Sequence, residues 1–245
     1  METKNWFQTW FNSKYYHVLY KNRDENEAQD FIDSVFGKFE IPTNSRILDL
    51  ACGKGRHAAY MAQNGMDVIG LDLSLNSIET AIHNYKLPNL EFAVHDMRNP
   101  SRINYYDYVF NFFTSIGYFE NLKENEKVFQ AISLSLKKHG YLMMDFFNAE
   151  KVIANLVERE EKVVDEIAFY IRRNYENGII TKHIQFEAEH KIYNFKEQVQ
   201  ALMPEEFEQM AEKAGLEIKE KFGSYKLENF DNKNSDRFIL WAQKK

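Results

Sequence analysis

The chain has 245 residues, 44% of them hydrophobic and 28% charged, enough for one large buried core and too apolar for a disordered chain. Its 31 Lys and Arg against 37 Asp and Glu leave a formal charge of −6, the wrong sign for gripping a phosphate backbone. One cysteine, Cys52, excludes an internal disulfide and a multi-cysteine zinc site. The start lacks the apolar run of a signal peptide, and no stretch approaches the roughly 18 apolar residues of a membrane span. The expectation is a soluble cytosolic protein with no nucleic-acid or membrane partner.

Aromatic residues crowd the beginning, where Trp6, Phe7, Trp10, Phe11, Tyr15, Tyr16 and Tyr20 fall within twenty positions. Trp6 with Trp10, Phe7 with Phe11 and Tyr16 with Tyr20 are each four apart, the spacing of one helical face. Such a helix either packs on the core or, as part of an N-terminal helical lid over residues 1–40, covers a ligand and adds cation–π attraction. Apolar β-like runs follow at 46–51, 66–72, 90–95, 106–113 and 140–147, with helical patterns at 55–64, 75–86 and 122–138, the last ending at Gly140. This alternation calls for a parallel sheet with helices on both faces, because parallel strands need helical crossovers.

Beyond 150 the pattern changes. Ile167, Phe169 and Ile171 alternate with polar residues, as do Ile180, Ile184 and Phe186, with the hairpin signal Asn177-Gly178 between them and a third run at 190–202. Three antiparallel strands over 150–202 thus form an insertion after the fifth strand, on the substrate side of a single 1–245 domain. Eight Lys or Arg against ten Asp or Glu over 150–201, a net of −2, predict that these strands lack a basic face. Pro204-Glu205-Glu206 opens a helix that closes at Gly215, and runs at 216–222 and 237–242 supply two final strands.

The chemistry is concentrated in RILDLACGKGRHA, residues 46–58, where an apolar strand enters a small-residue turn and then a helix. Gly53 and Gly55 let backbone approach a ligand, and the helix start offers free N–H groups. Asp72 ends the second strand, where a carboxylate accepts hydrogen bonds from ribose hydroxyls. The order Gly53-Lys54-Gly55-Arg56 is not a P-loop. A dinucleotide fingerprint is roughly imitated by Gly53, Gly55 and Ala58, but Asp49 inside the first strand opposes a pyrophosphate and suits an ammonium or sulfonium. S-adenosylmethionine carries both positive groups and no phosphate.

ILDLACGKG, GLDLS and VHDMR, in that order, resemble the three cofactor motifs of the Rossmann-like S-adenosylmethionine-dependent methyltransferases. The resemblance covers roughly 45–147 and extends to the closing elements at 204–244. It implies an α/β fold: a seven-stranded, mostly parallel sheet with its last strand antiparallel, plus the small antiparallel insertion. It also implies that Asp49, Ala51, Gly53 and Gly55 surround the methionine part, Asp72 the ribose, and Asp96 with Met97 the adenine, with Asn111 and Phe112 closing the pocket and Cys52 and Leu73 also at the cofactor. Ala51 stands where many relatives have glycine, a small-for-small exchange expected to be tolerated. FFTSIGYF at 112–119 with the N-terminal tyrosines is similar to small-molecule N-methyltransferases, some of which have histidine at the place of Tyr118.

Tyr16, Tyr20, Tyr118, Phe146, Phe147 and Asn148 are the expected acceptor pocket, the last three because ligands bind beyond strand carboxyl ends in open α/β sheets. Tyr16, Tyr20 and His57 are candidate bases, with His17 also near the tyrosines. Cys52 has no base or metal partner and reads as a small filler of the loop, and the seven histidines lack metal-site spacing, so no metal is expected. The expected reaction is transfer of a methyl group to N or O of a small molecule by in-line displacement. A macromolecular methyltransferase and an NAD-dependent oxidoreductase are the alternatives.

Overall fold

A computed structural model describes residues 6–20 and 25–245. The side chains of Trp6, Phe7 and His17 lie outside the described residues. Seven strands form the main sheet: β1 (Arg46–Leu50), β2 (Asp67–Asp72), β3 (Leu90–Val94), β4 (Tyr106–Asn111), β5 (Leu136–Phe147), β10 (Leu216–Phe222) and β11 (Arg237–Lys244). Their order is β10-β11-β5-β4-β1-β2-β3. β1 to β5 pair in parallel, and β11 runs antiparallel to both β5 and β10, as the closing hairpin predicts. β1 and β2 each bury four consecutive residues, Ile47 to Leu50 and Val68 to Leu71, all apolar or glycine except Asp49, the pattern of strands covered on both faces.

Helices α3 (Glu25–Phe39), α4 (Arg56–Gln63), α5 (Leu75–Asn84), α6 (Leu122–Ser135), α7 (Ala149–Ala154) and α8 (Pro204–Lys213) complete the α/β body. Phe31, Ile32 and Val35 of α3 pack with Ala58, Met61 and Ala62 of α4 in one core. Val128, Phe129 and Ile132 of α6 join Phe207 and Met210 of α8 in the other. The sheet order reverses at β1 and β4, which opens a crevice at their carboxyl ends.

Helix α6 does not reach Gly140. It ends at Ser135, and β5 begins at Leu136 with a register shift opposite Tyr106 and Tyr108. Gly140 instead serves this irregularity: a Cβ there would lie 3.0 Å from both the Asp107 and Lys137 carbonyl oxygens.

The insertion has four strands rather than three: β6 (Arg159–Val164), β7 (Ile167–Glu176), β8 (Ile179–Ala188) and β9 (Lys191–Gln200), paired antiparallel in that order. β6 is an edge strand whose first half is exposed and charged, so it lacks the alternation that marked the others. The aromatic start also differs from one helix. It forms α1 (Trp6–Phe11) and α2 (Lys14–Leu19), broken at Asn12-Ser13, where the Ser13 hydroxyl accepts from the Tyr15 N–H. Trp10, Tyr15 and Leu19 bury themselves against Phe169, Ile171, Ile184 and Phe186 of the inserted sheet.

The opposite face of that sheet mixes one basic row with the acids Glu161, Glu176 and Glu187. Register places Arg159, Arg172, His183 and Lys196 directly across from one another in one transverse row. The pleat sorts side chains by alternate position, so a segment with more acids than bases still carries a basic row. No helix among the described residues is long and apolar enough to cross a membrane.

Candidate active site

Asp49 is set in an interior strand of the sheet, in register between Gly70 of β2 and Phe110 of β4, and is 1% exposed. Beyond it the chain leaves the sheet through a run of left-handed residues: Ala51 (φ 65°), Gly53 (φ 56°) and Gly55 (φ 80°), the last at the N-terminus of α4. The two glycines have different reasons. A Cβ on Gly55 would lie 2.5 Å from the Phe92 ring, whereas one on Gly53 would meet no atom within 4 Å, leaving room for a ligand beside that peptide. Asp72 fastens the two loops together, accepting from the Gly53 N–H (2.9 Å) and the Ser74 N–H (2.8 Å).

These loops border a cavity of about 920 Å³. Its polar lining includes Asp49, Asp72, Asp96, Arg56 and His57. Its aromatic lining includes Phe11, Tyr16, Tyr20 and Tyr118. The aromatic rings touch in sequence: Tyr20 to Tyr16 at 4.9 Å between centroids, Tyr16 to Phe11 at 5.0 Å, and Phe11 to Tyr118 at 5.4 Å.

The electrostatics of the polar lining are unusual. Burial, helped by the nearby Asp72 charge, pushes the Asp49 carboxyl up to about 7, against the opposing influence of the Ala58 N–H and Arg56. Burial also raises Asp72. Asp96 is held below the usual carboxylate range by Arg98, whose guanidinium grips it at 3.0 Å through Nε and reaches Glu124 at 2.7 Å. His57 is driven down to about 3 by burial and by Arg56, so its imidazole is neutral. Among the described residues, Asp49 Oδ2, His57 Nε2 and Asn111 Oδ1 are buried without a hydrogen-bond partner. Each orphaned atom costs on the order of 1–3 kcal/mol, and those of Asp49 and His57 belong to cavity-lining residues. An unpartnered carboxylate oxygen of this kind fits a ligand carrying positive charge.

The model for the family described as "Methyltransferase domain" matches residues 41–220. The chain belongs to this methyltransferase family. Its cofactor is S-adenosylmethionine, and the dinucleotide alternative falls away. It is 26% identical over 166 residues to dTDP-3-amino-3,4,6-trideoxy-alpha-D-glucopyranose N,N-dimethyltransferase of Streptomyces venezuelae, covering 64% of this chain and 68% of that protein. Among solved structures, an S-adenosylmethionine-dependent methyltransferase from Clostridium acetobutylicum superposes with a TM-score of 0.79 at 20% identity, over 94% of this chain and 96% of its own. CalS10, an amino pentose methyltransferase from Micromonospora echinaspora solved with the cofactor bound, gives 0.71 at 20% identity over 95% and 98%.

The methyltransferase cavity gathers most of the expected residues: Asp49, Ala51, Cys52, Gly53, Asp72, Leu73, Asp96, Met97, Phe112, His57, Tyr16, Tyr20 and Tyr118 all line it. Gly55 and Asn111 stand behind the lining, Gly55 shaping the turn and Asn111 donating through Nδ2 to the Leu50 carbonyl at 2.7 Å. Burial raises the Cys52 thiol well above its ordinary value, which matches a filler rather than a nucleophile.

Three acceptor candidates lie elsewhere. Phe146 is fully buried against Phe147 and Phe207. Asn148 caps α7 and donates to the Asn232 and Ser235 carbonyls. Phe146 and Phe147 are paired with Phe238 and Arg237 of β11, so the antiparallel return covers the end of β5 that an open parallel sheet would expose. Arg56, Phe113, Thr114 and Ser115, which sequence reasoning did not single out, line the cavity instead. Tyr20 contributes its ring: its hydroxyl donates to Glu197 at 2.8 Å and accepts from Lys182.

Proposed function

We propose that this methyltransferase acts on an amine nitrogen of a small molecule. The observation that carries the reading is the aromatic lining of Phe11, Tyr16, Tyr20 and Tyr118 next to a histidine held neutral. Aromatic faces attract the ammonium that N-methylation creates, and a neutral amine needs no base. A hydroxyl acceptor would need one, and His57, at about 3, is a poor proton acceptor at neutral pH. The N,N-dimethyltransferase and the amino pentose methyltransferase among the relatives favour the same acceptor class.

When bound, S-adenosylmethionine supplies a methyl carbon on a positively charged sulfur, open to displacement by a nitrogen lone pair. In this reading Asp49 balances the cofactor's positive charge through its unpartnered oxygen, and Asp72 takes the ribose hydroxyls beside Leu73. Asp96 and Met97 hold the adenine, and Ala51, Cys52, Gly53 and Phe112 shape the remaining wall. The aromatic residues of α1 and α2 exclude water and align the acceptor. Alignment alone is worth about 7–11 kcal/mol in favourable cases, so neither Tyr16, Tyr20 nor His57 has to move a proton. A cytosolic setting agrees with the single buried cysteine.

The test is a screen of amines, amino sugars, phenols and carboxylates with detection of S-adenosylhomocysteine. Turnover is expected with amines. Turnover with phenols or carboxylates and none with amines would overturn the assignment.

A further inference from the structure

The turn after β4 contains two consecutive non-glycine residues in left-handed backbone, Phe113 (φ 59°) and Thr114 (φ 59°). Outside two-residue hairpin turns such as Asp165-Glu166 and Glu189-His190, consecutive side-chain-bearing residues rarely adopt this conformation unless the surroundings hold them in it. Here the surroundings are one ion pair, its carboxylate fully buried and its guanidinium partly exposed. Asp145, fully buried near the end of β5, accepts from the Phe113 N–H through Oδ2 at 2.7 Å, and its carbonyl accepts from the Thr114 N–H at 3.2 Å. Arg237 of β11 donates through Nε to Asp145 Oδ1 at 2.8 Å and through a terminal nitrogen to Thr114 Oγ1 at 3.0 Å. The Tyr225 hydroxyl adds a longer contact to Asp145 Oδ2 at 3.3 Å.

What the pair holds is part of the cavity. Phe113, Thr114 and Ser115 line it. Phe113 lies flat on the neutral His57, with ring centroids 5.0 Å apart and planes at 5°, and the Arg56 guanidinium stands 5.3 Å from its ring. An ion pair with a fully buried carboxylate is a poor way to gain stability, because desolvation offsets the attraction. Its measurable consequence here is a backbone shape at the cavity wall.

We propose that Asp145 and Arg237 are positioning residues for methyl transfer, holding Phe113 and Thr114 in left-handed backbone so that this turn forms the wall against which the acceptor is aligned. The inference rests on the reading that cofactor and acceptor share this cavity, and it holds for an acceptor of any class. Displacing a wall by about 1 Å can cost on the order of a hundredfold in rate.

The experiment compares Asp145→Asn, Arg237→Lys and Thr114→Gly, alone and in pairs. It measures kcat with whichever compound wild-type enzyme methylates fastest, and the Kd of S-adenosylhomocysteine by calorimetry. Asp145→Asn is expected to lower kcat about a hundredfold, and Arg237→Lys about tenfold, with the Kd of S-adenosylhomocysteine within about threefold of wild type. Glycine adopts left-handed backbone freely, so in the Thr114→Gly background each loss is expected to shrink to a few-fold. If Asp145→Asn fails to fold, Arg237→Lys with and without Thr114→Gly makes the same comparison. Equal losses in both backgrounds, a fall in cofactor-product affinity that matches the fall in kcat, or unchanged kcat would each overturn the proposal. Failure of wild-type protein to bind S-adenosylhomocysteine would instead overturn the cavity's assignment.

Discussion

At the scale of single residues, the consequences concentrate on Asp49. Its carboxyl is shifted from 3.8 to about 7 in the folded protein, so the folded state binds a proton more tightly than the unfolded chain. The stabilising effect of that proton is complete below about pH 4 and is lost as the pH rises through 7. Asp49→Asn removes the titration. Relative to wild type, the ligand-free variant is expected to gain on the order of 3 kcal/mol between pH 4 and pH 8 in urea unfolding experiments, and a constant difference would contradict the burial argument.

Ala51 offers a second test at this scale. Ala51 stands in left-handed backbone, with φ at 65°, where glycine is free of strain. Ala51→Gly is therefore expected to stabilise the protein by about 0.5–1 kcal/mol, the relief of left-handed strain less glycine's greater unfolded-state entropy. Destabilisation on urea unfolding would show that the Cβ packs favourably. The importance of Asp49 and Gly53 was legible because both break the expected pattern of their element, an acid within an apolar strand and a glycine at its exit. Phe113 and Thr114 gave no such signal, since neither is a residue that left-handed backbone prefers.

At the scale of elements, strands are readable where an apolar run or a clean apolar/polar alternation marks a buried face, and not where an exposed edge breaks that alternation. The five runs before 150 correspond to β1 to β5. β6 carries no strand pattern because Arg159, Glu160 and Glu161 are exposed on an edge, and the first residues of β5 carry none because its bulge follows the helix directly. The fate of α1 and α2 depended on a partner that no local pattern reveals: their apolar face meets the inserted sheet rather than the main one.

The basic row across the other face of that sheet follows from register alone. Arg172 lies directly opposite Arg159, a pair of like charges that weakens pairing. Arg172→Thr, which also suits a strand, is expected to raise stability by about 0.5 kcal/mol at low ionic strength. The gain should fade by about 0.5 M salt as the charges are screened. A salt-independent gain would assign the effect to strand preference instead.

At the scale of the whole molecule, the two sheets divide the work. The parallel sheet delivers Asp49, Asp72 and the glycine turn to one crevice, while the inserted sheet holds α1 and α2 so that Phe11, Tyr16 and Tyr20 face the same cavity. Because His57 is driven down to about 3 and the other lining histidine, His95, is engaged through Nε2 with the Asn99 carbonyl, the acceptor's own amine is expected to set the pH dependence. At saturating cofactor, kcat/KM for an amine should rise about tenfold per pH unit up to that amine's pKa. A bell with a limb that disappears in His57→Asn would assign a proton-transfer role to His57.

The central claim is that the buried Asp49 carboxylate is the counter-charge for a cationic adenosyl cofactor. Calorimetric titration of S-adenosylmethionine, which carries the charged sulfur, into wild type and Asp49→Asn at pH 8 tests it most directly. The predicted result is binding to wild type and at least tenfold weaker binding to the variant. Equal affinity for both proteins would contradict it.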